Sequence, residues 1–193
     1  MEAVTLEGRH VLLEPLAERH HEALCAVGLH PDLWAFTVAR AMTPEEMQTY
    51  IRSALDAQAA GSQLPFVTIE RASHRVVGST RFMNIDPSNR RVEIGSTWVS
   101  GPWQRTPVNT EAKYLMLRHA FESWDYVRVE LKTDALNQRS RAAIRRIGAV
   151  EEGVLRRHTV TWSGRIRDTV YYSILDSEWP RVKADLESKL TAK

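Results

Sequence analysis

The sequence predicts an α/β protein built on one mixed, mostly antiparallel sheet flanked by helices. Three apolar segments of period two follow one another with only short polar turns between them, at 66–70, 76–83 and 91–99. Such a succession is typical of an antiparallel meander. After residue 109, strands alternate with helices. A crossover helix between neighbouring strands implies parallel pairing, so the predicted order is β-α-α-β-β-β-α-β-α-β-β.

The first elements follow from alternation and from helix-start signals. Thr5 to Leu16 alternates and is predicted to be one strand, followed by a short helix from Glu18 to Val27. The next helix begins with Thr43 as its N-cap and Pro44 at its first position, because this pair suits the unpaired N–H groups of a first turn. Gly61 is predicted to end that helix.

The second half of the chain continues with apolar residues at helical spacing and with further alternating segments. The remaining predicted elements are, in order, a helix from Asn109 to Trp124, a strand from Arg128 to Thr133, a helix from Gln138 to Ile147, a hairpin of strands Val150 to Thr161 and Ile166 to Leu175, and a final helix capped by Ser177.

Two strand–turn–helix units in this half share a layout suited to anion binding. In the first, the strand ending at Val99 runs through a polar turn into the helix that starts at Asn109. In the second, the strand 128–133 runs into a helix opened by Asn137. Unpaired backbone N–H groups at a helix start, together with the helix dipole, favour a phosphate. We interpret the two units as the cofactor-binding part of the chain.

Composition indicates one globular domain, predicted to span residues 1–193. Apolar residues make up 43% of the chain and charged residues 26%, which is enough for a packed core. The formal net charge of +2 does not indicate a nucleic-acid partner. The single cysteine, Cys25, excludes an internal disulfide and fits a reducing compartment. No apolar run reaches the roughly 20 residues of a membrane span, so a soluble, cytoplasmic protein is expected.

Several common chemistries lack their sequence signals. The seven histidines form no pair at i and i+4 with an acid between them, and His20 and His21 are adjacent, so no metal site is predicted. There is no Gly-x-Ser-x-Gly elbow, no P-loop and no dinucleotide fingerprint. These absences argue against a serine hydrolase and against a nucleotide-triphosphate enzyme.

Residues 9 to 180 resemble the GNAT superfamily of acyl-CoA N-acyltransferases, most closely the Rim-type branch that acetylates protein N-terminal amines. The segments that carry the resemblance are Arg9-His10-Val11-Leu12-Leu13-Glu14-Pro15-Leu16, Glu93-Ile94-Gly95, Thr110-Glu111-Ala112, His119-Ala120-Phe121, Asn137-Gln138-Arg139-Ser140, Ile147-Gly148-Ala149, Glu152-Gly153-Val154-Leu155-Arg156 and Glu178-Trp179-Pro180. The resemblance implies the GNAT fold, with the fourth predicted strand (91–99) splayed from the fifth (128–133). It also implies that acetyl-CoA lies in the gap between them and that no metal takes part.

The resemblance assigns cofactor contacts along both strand–turn–helix units. The residues it implies are Trp98 and Val99 for the pantetheine, Arg105, Pro107, Val108, Asn109 and Thr110 for the pyrophosphate, and Asn137, Ser140 and Arg141 at the second helix start. The first turn departs from the family pattern Gln/Arg-x-x-Gly-x-Gly/Ala, because Pro107 and Asn109 stand where glycines are expected. Proline has no N–H to donate, whereas asparagine tolerates left-handed angles and caps helices. The alternative is a rigid turn with an asparagine cap and no ligand.

The implied reaction requires a neutral amine, an electrophilic thioester and a proton for the departing thiolate. Glu93 is the candidate base, and the alternative is an ion-paired strand glutamate. The tyrosine that many relatives use as the acid is replaced by Ile144, so Ser140 is the candidate donor to the thiolate, or simply a first-turn helix serine. The backbone N–H of Val99 is expected to polarise the thioester carbonyl.

The acceptor site is implied to lie between the first two helices and the last hairpin. The candidate lining residues there are Trp34, Phe36, Arg81 and Tyr172. The leading hypothesis is an acetyl-CoA-dependent N-acetyltransferase in which a protein N-terminus or a small amine attacks directly in a ternary complex. The alternatives are a non-catalytic acyl-CoA-binding or regulatory protein, and a nucleic-acid-binding protein, for which a basic face would be needed. The apolar last hairpin and Trp162 suggest a homodimer.

Overall fold

The computed structural model describes residues 3–191 and is organised around a mixed eight-stranded sheet. Its strands are β1 (Leu6–Glu7), β2 (Val11–Pro15), β3 (Leu64–Glu70), β4 (Arg75–Asp86), β5 (Arg91–Val99), β6 (Arg128–Asp134), β7 (Val150–Val160) and β8 (Ile166–Leu175). Its helices are α1 (His21–Gly28), α2 (Pro31–Trp34), α3 (Pro44–Ala59), α4 (Pro107–Arg118), α5 (Gln138–Arg146) and α6 (Trp179–Thr191). The spatial strand order is β1-β2-β3-β4-β5-β6-β8-β7, and only the β5–β6 pair is parallel. The predicted fold class is confirmed.

The predicted first strand is wrong in one respect, because it is two strands, β1 and β2, separated by a turn at Gly8. The carboxylate of Glu111 on α4 forms this turn by accepting the backbone N–H groups of Arg9, His10 and Val11 at 2.8, 2.5 and 2.7 Å. Gly8 is required there, since a Cβ would lie 2.4 Å from the carboxyl carbon of Glu111. Glu111 therefore fastens the first strand pair to α4, a long-range contact that alternation alone does not reveal.

The start of α4 also differs from the prediction. The helix begins at Pro107 and is capped by Thr106, whose hydroxyl lies 3.4 Å from the N–H of Val108. Proline suits this first position because its missing N–H would have no helical partner. Asn109 is consequently inside the first turn and does not cap the helix. Arg105, just before the cap, has a left-handed φ of +64°.

Two hydrophobic cores lie on opposite faces of the sheet. Neighbouring residues of β3 show the division, because Phe66 belongs to the core under α4 and α6, whereas Val67 belongs to the core under α1 and α3. Both residues are fully buried. The sheet is thus covered by helices on both faces, and its polar opening lies at the parallel strand pair.

That opening is a gap between β5 and β6. The two strands pair from Arg91 with Arg128 to Glu93 with Glu130, and the pairing then stops although β5 continues to Val99. In the same part of β5, Ser96 has a φ of +46° and the register with β4 shifts. The bulge increases the local twist of β5. The predicted splaying of the two strands is therefore present, and it positions the candidate site.

Candidate active site

One backbone amide of β5 faces the open gap. Ser100 donates its N–H to Val77 of β4 at 2.8 Å, so by alternation Val99 directs its N–H and C=O away from β4. The backbone of Trp98 points the opposite way, toward β4. Its carbonyl oxygen lies 2.2 Å from the position that a Cβ atom on Gly78 would occupy. The expected backbone donor at Val99 is therefore available to a ligand in the gap.

The predicted pantetheine contact at Trp98 is wrong for both backbone and side chain. The Trp98 indole is buried in the core under α1 and α3, where its Nε1 lies 3.3 Å from the Tyr50 hydroxyl. Its ring centroid lies 5.6 Å from that of Trp34. Trp98 consequently supports the wall of the gap rather than lining it.

Gln104 connects the end of β5 to the second helix start. Its side-chain amide donates to the carbonyl oxygen of Val99 at 2.7 Å, and its own oxygen accepts from Nη1 of Arg139 at 2.8 Å. Two basic residues therefore border the predicted phosphate turn, Arg139 from α5 and the exposed Arg105 from the turn itself. A phosphate at this place would meet positive charge as well as the start of α4.

The turn retains some of the backbone N–H groups that were predicted to bind the pyrophosphate. Val108 and Asn109 carry N–H groups in the first turn of α4, where a helix supplies no internal acceptor. Pro107 supplies no N–H. The side chain of Thr110 is buried and accepts from Nη2 of Arg146 at 2.7 Å, so its hydroxyl ties α4 to α5 and does not face a ligand.

The second helix start is arranged as predicted around Asn137 and Ser140. The Asn137 side chain caps α5 by accepting the backbone N–H of Ser140 at 3.0 Å. The hydroxyl of Ser140 has no hydrogen-bond partner among residues 3–191. Ile144, at the position of the missing tyrosine, is buried in the core. Ser140 is thus the hydroxyl of this helix start that is free to donate to a ligand.

Two predicted ligand contacts, Arg141 and Tyr172, are instead part of an internal polar network. Arg141 Nε lies 3.2 Å from the hydroxyl of Tyr172, which in turn donates to Glu151 at 3.1 Å. Tyr172 is fully buried on the α4 face of the sheet, so its assignment to the acceptor side is wrong. A shift of one residue along a strand reverses the face, and Tyr171 is the residue that faces the other side, beside Lys132.

Glu93, the candidate base, is ion-paired through one of its two carboxylate oxygens. Its Oε2 accepts from Nζ of Lys132 at 2.8 Å and from Nδ2 of Asn84 at 2.7 Å. Burial alone would lower the pKa of Lys132, but Glu93 and Tyr171 outweigh burial and raise it. The other carboxylate oxygen, Oε1, accepts no hydrogen bond from the described part of the chain.

Lys113 is a site residue that the sequence prediction missed. It lies on α4, is 5% exposed, and donates from Nζ to the hydroxyls of Thr97 at 2.5 Å and Thr80 at 3.2 Å. No carboxylate within residues 3–191 lies close enough to pair with it, and burial lowers its pKa to about 7. One signal was present in the sequence, since Lys113 stands three and four residues before the buried Met116 and Leu117, on the apolar stripe of the helix.

The acceptor side contains a cavity of roughly 450 Å³ beside the bulge of β5. Of the four predicted lining residues, Arg81 lines it. Trp34 is a core residue, 2% exposed, that donates its indole N–H to Gly28 O at 2.8 Å, so its assignment as a lining residue is wrong. Phe36 is half-buried and is not among the lining residues.

Within residues 3–191, no group of three or more histidine, cysteine, aspartate or glutamate side chains is placed to hold a metal ion. No helix in the described range combines the length and apolar character needed to cross a bilayer. Cys25 is half-buried beside His21, and burial raises the pKa of its thiol.

The mixed sheet of the described residues opens between the parallel strands β5 and β6, beside the starts of two helices, which is the arrangement of the GNAT class. Residues 10–150 match the family described as the acetyltransferase (GNAT) domain, and the chain belongs to that family. The family identifies the chain as an N-acetyltransferase.

Solved structures and a named relative agree with this assignment. A GCN5-related N-acetyltransferase from Brucella melitensis is 34% identical, with a TM-score of 0.92 over 99% of this chain and 87% of that protein. The provisionally named ribosomal N-acetyltransferase YdaF of Bacillus subtilis (strain 168) is 35% identical over 102 residues, which cover 53% of this chain and 55% of YdaF. The match thus spans about half of YdaF.

A third protein is similar to this chain in fold. Mycobacterium smegmatis RimJ, solved in complex with CoA-disulfide, is 24% identical, with a TM-score of 0.78 over 93% of this chain and 88% of RimJ. At this level of identity, the similarity to RimJ shows a shared fold.

Proposed function

We propose that the chain transfers an acetyl group from acetyl-CoA to a primary amine, a protein N-terminus or a small amine, by direct attack in a ternary complex. The observation that carries the proposal is the gap between β5 and β6, toward which Val99 directs its backbone N–H. In this position the N–H would donate to the thioester oxygen, where negative charge develops as the amine attacks. Acetyl-CoA supplies the activated acetyl group.

The chain offers groups that could bind each part of acetyl-CoA. The gap beside Val99 would receive the pantetheine. The amides of Val108 and Asn109, with Arg105 and Arg139 at the border, would hold the pyrophosphate. Pro107 reduces the number of amides relative to a glycine-containing turn, and the two arginines add charge that partly offsets this loss.

The proton transfer is assigned to Glu93, and a hydrogen bond that stabilises the departing thiolate is assigned to Ser140. Glu93 has one free carboxylate oxygen, while its bonds to Lys132 and Asn84 fix the orientation of the group, so we propose that Oε1 receives the proton of the amine, directly or through water. The Ser140 hydroxyl, free at the start of α5, would donate to the departing thiolate.

The test combines binding with turnover. Calorimetry should show CoA binding, and free thiol should be released from acetyl-CoA when a panel of amines is added. CoA binding without thiol release for any amine class would favour the non-catalytic acyl-CoA-binding alternative. Absence of CoA binding would contradict the proposal.

We also propose a homodimer that uses the outer edge of the sheet. β7 is the terminal strand and exposes Val154, Leu155 and Val160, with Ile166 opposite on β8. Trp162 contributes less to that surface than expected, because its indole N–H donates to Trp34 O at 2.6 Å within the same chain. Light scattering coupled to gel filtration would measure the oligomeric state.

A further inference from the structure

Arg81 is a buried cation without a counter-ion in the described chain. The residue is 5% exposed, and no carboxylate of residues 3–191 lies within 4.0 Å of its guanidinium. Its Nη1 donates to Gln63 Oε1 at 2.9 Å, and its Cζ lies 4.7 Å from the centre of the Tyr50 ring. Its Nε is enclosed and has no hydrogen-bond partner.

These contacts satisfy the guanidinium only in part. Arginine carries five N–H donors and stays charged at any accessible pH. An amide oxygen and an aromatic face offset part of the cost of removing this charge from water. An uncompensated buried charge is otherwise strongly destabilising, and burying one without an acidic partner is uncommon. The edge formed by Nε and Nη2 has no acceptor within residues 3–191.

The location of Arg81 connects it to the proposed chemistry. Arg81 pairs with Gly95 across β4 and β5, and the next residue of β5, Ser96, lines the same cavity. The pairing also places Arg81 and Glu93 on one face of the sheet, because Met83, two residues after Arg81, pairs with Glu93. The cavity therefore adjoins the gap on the side from which the amine would approach Glu93.

The other charges around the cavity leave the positive charge of Arg81 unbalanced. Glu46 is already paired with Arg40, with 2.6 Å between Oε1 and Nε. Glu45 is exposed at the start of α3, where water screens its charge. An acceptor with several ammonium groups would meet Arg81 with like charge, whereas an anionic group would supply its missing partner.

We propose that Arg81 binds a carboxylate of the acceptor, so that the acetyl group is transferred to an amine that also carries a carboxylate. Nη1 is bonded to Gln63 and Nε is enclosed, so Nη2 is the nitrogen that would donate a charge-assisted hydrogen bond to a carboxylate oxygen in the cavity. Two sources have this chemistry, a free amino acid and a peptide with an acidic N-terminal residue. The inference rests on the proposed function, because it assigns the acceptor of the same site.

The experiment uses acceptor pairs that differ in one charged group, and kcat/KM is expressed per neutral amine because a nearby carboxylate also raises the pKa of the amine. Leucine and leucinamide test the free amino acid, and Asp-Ala-Ala-amide and Asn-Ala-Ala-amide test the peptide. With saturating acetyl-CoA, the carboxylate member of at least one pair should have a kcat/KM at least about tenfold higher, and the pair that shows the preference identifies the source. Arg81→Met should abolish the preference, so that the ratio of kcat/KM for the carboxylate member to kcat/KM for the neutral member falls from at least about ten to about one.

The matched control is Arg52→Met, which removes an exposed arginine of α3 that does not line the cavity. It should leave both rates unchanged. The proposal would be overturned if the natural chain had the same kcat/KM for both members of both pairs. It would also be overturned if Arg81→Met lowered kcat/KM by the same factor for both members of a pair. The first comparison needs no variant, so it decides the matter even if Arg81→Met fails to fold.

Failure of the proposed function gives a different result. If no amine is acetylated, titration calorimetry of the natural chain with the same four compounds still measures the preference as a ratio of Kd values. A carboxylate preference of about tenfold without thiol release would support the Arg81 site and contradict the transferase proposal. No preference in binding or in turnover would contradict the Arg81 site alone.

Discussion

Lys113 Nζ lies 2.5 Å from the hydroxyl oxygen of Thr97, and this contact joins the interior of α4 to the bulged part of β5 beside the gap. Thr97 is exposed, whereas Lys113 and Thr80 are buried. The hydroxyls of Thr80 and Thr97 are themselves 2.7 Å apart. Within residues 3–191, these two neutral groups are the hydrogen-bond partners of the Lys113 amine. Burial lowers the pKa of Lys113 to about 7, so both the charged and the neutral form of its amine are populated near neutral pH.

The first prediction concerns the pH dependence of stability. Burial lowers the pKa of Lys113 from 10.5 to about 7, so between these values the unfolded chain binds a proton that the folded chain does not. The contribution of Lys113 to the free energy of unfolding should therefore fall as the pH falls from 10.5 to 7, by up to about 1.4 kcal/mol per pH unit, and stay constant below pH 7. Lys113→Met should remove this dependence.

Urea unfolding at pH 6.5, 8 and 9.5 measures the effect as the difference between variant and natural chain. The increase in the free energy of unfolding that Lys113→Met produces should be larger at pH 6.5 than at pH 9.5. Lys183→Met is the control, because Glu122 raises the pKa of Lys183, so its contribution should change little over this range. A gain from Lys113→Met that is the same at all three pH values would show that Lys113 is not held neutral.

A second prediction tests Glu111 as the anchor of the N-terminal strands. Glu111→Gln leaves one amide oxygen where the carboxylate accepts three backbone N–H groups, and its NH₂ group would face donors. The free energy of unfolding should fall by roughly 3 kcal/mol, because buried donors lose their acceptors. Hydrogen exchange of β1 and β2 should accelerate. Glu22→Gln, at an exposed position on α1, should change neither quantity.

A third prediction separates the two roles at the start of α5. Ser140→Ala should reduce turnover while leaving the melting temperature nearly unchanged, because Asn137 caps the helix through the backbone N–H of Ser140 and not through its hydroxyl. Asn137→Ala should lower stability by about 1 kcal/mol. Equal destabilisation by both variants would mean that the Ser140 hydroxyl has a structural role, contrary to the free hydroxyl described above.

A fourth prediction concerns the proline in the phosphate turn. Pro107→Gly adds one N–H at the start of α4 and should tighten CoA binding by about tenfold, the value of one charge-assisted hydrogen bond less the cost of a more flexible turn. Pro44→Gly is a matched control, since Pro44 occupies the same position of α3, also behind a threonine cap. Calorimetry should show a gain for Pro107→Gly and none for Pro44→Gly. Unchanged affinity in both would place the pyrophosphate elsewhere.

The elements that depend on local signals were predictable from the sequence. Thr43 and Pro44 begin α3 as expected, because cap and proline act within a single turn. The start of α4 was harder to predict, because both Thr106 and Asn109 are residue types that can cap a helix. Thr106 and Pro107 form the same local signal as Thr43 and Pro44, and this pair determines the start of α4 in preference to Asn109.

The site required information that local patterns do not contain. Tyr172 was assigned to the wrong face because strand alternation gives two faces but not their identity. The burial of Lys113 and of Arg81 arises from residues distant in sequence, such as Thr97 for the lysine and Tyr50 for the arginine. The position of the Val99 backbone N–H beside the gap could be predicted, because the family resemblance places the gap along a strand that is recognisable in the sequence.

The measurement that tests the central claim most directly is a crystal structure of the chain with bound CoA. The sulfur and pantetheine should lie between β5 and β6, with a pantetheine oxygen or nitrogen within hydrogen-bonding distance of the backbone of Val99. The pyrophosphate should contact the amides of Val108 and Asn109. CoA bound elsewhere, with the gap between Val99 and β6 closed or filled by side chains, would contradict the account.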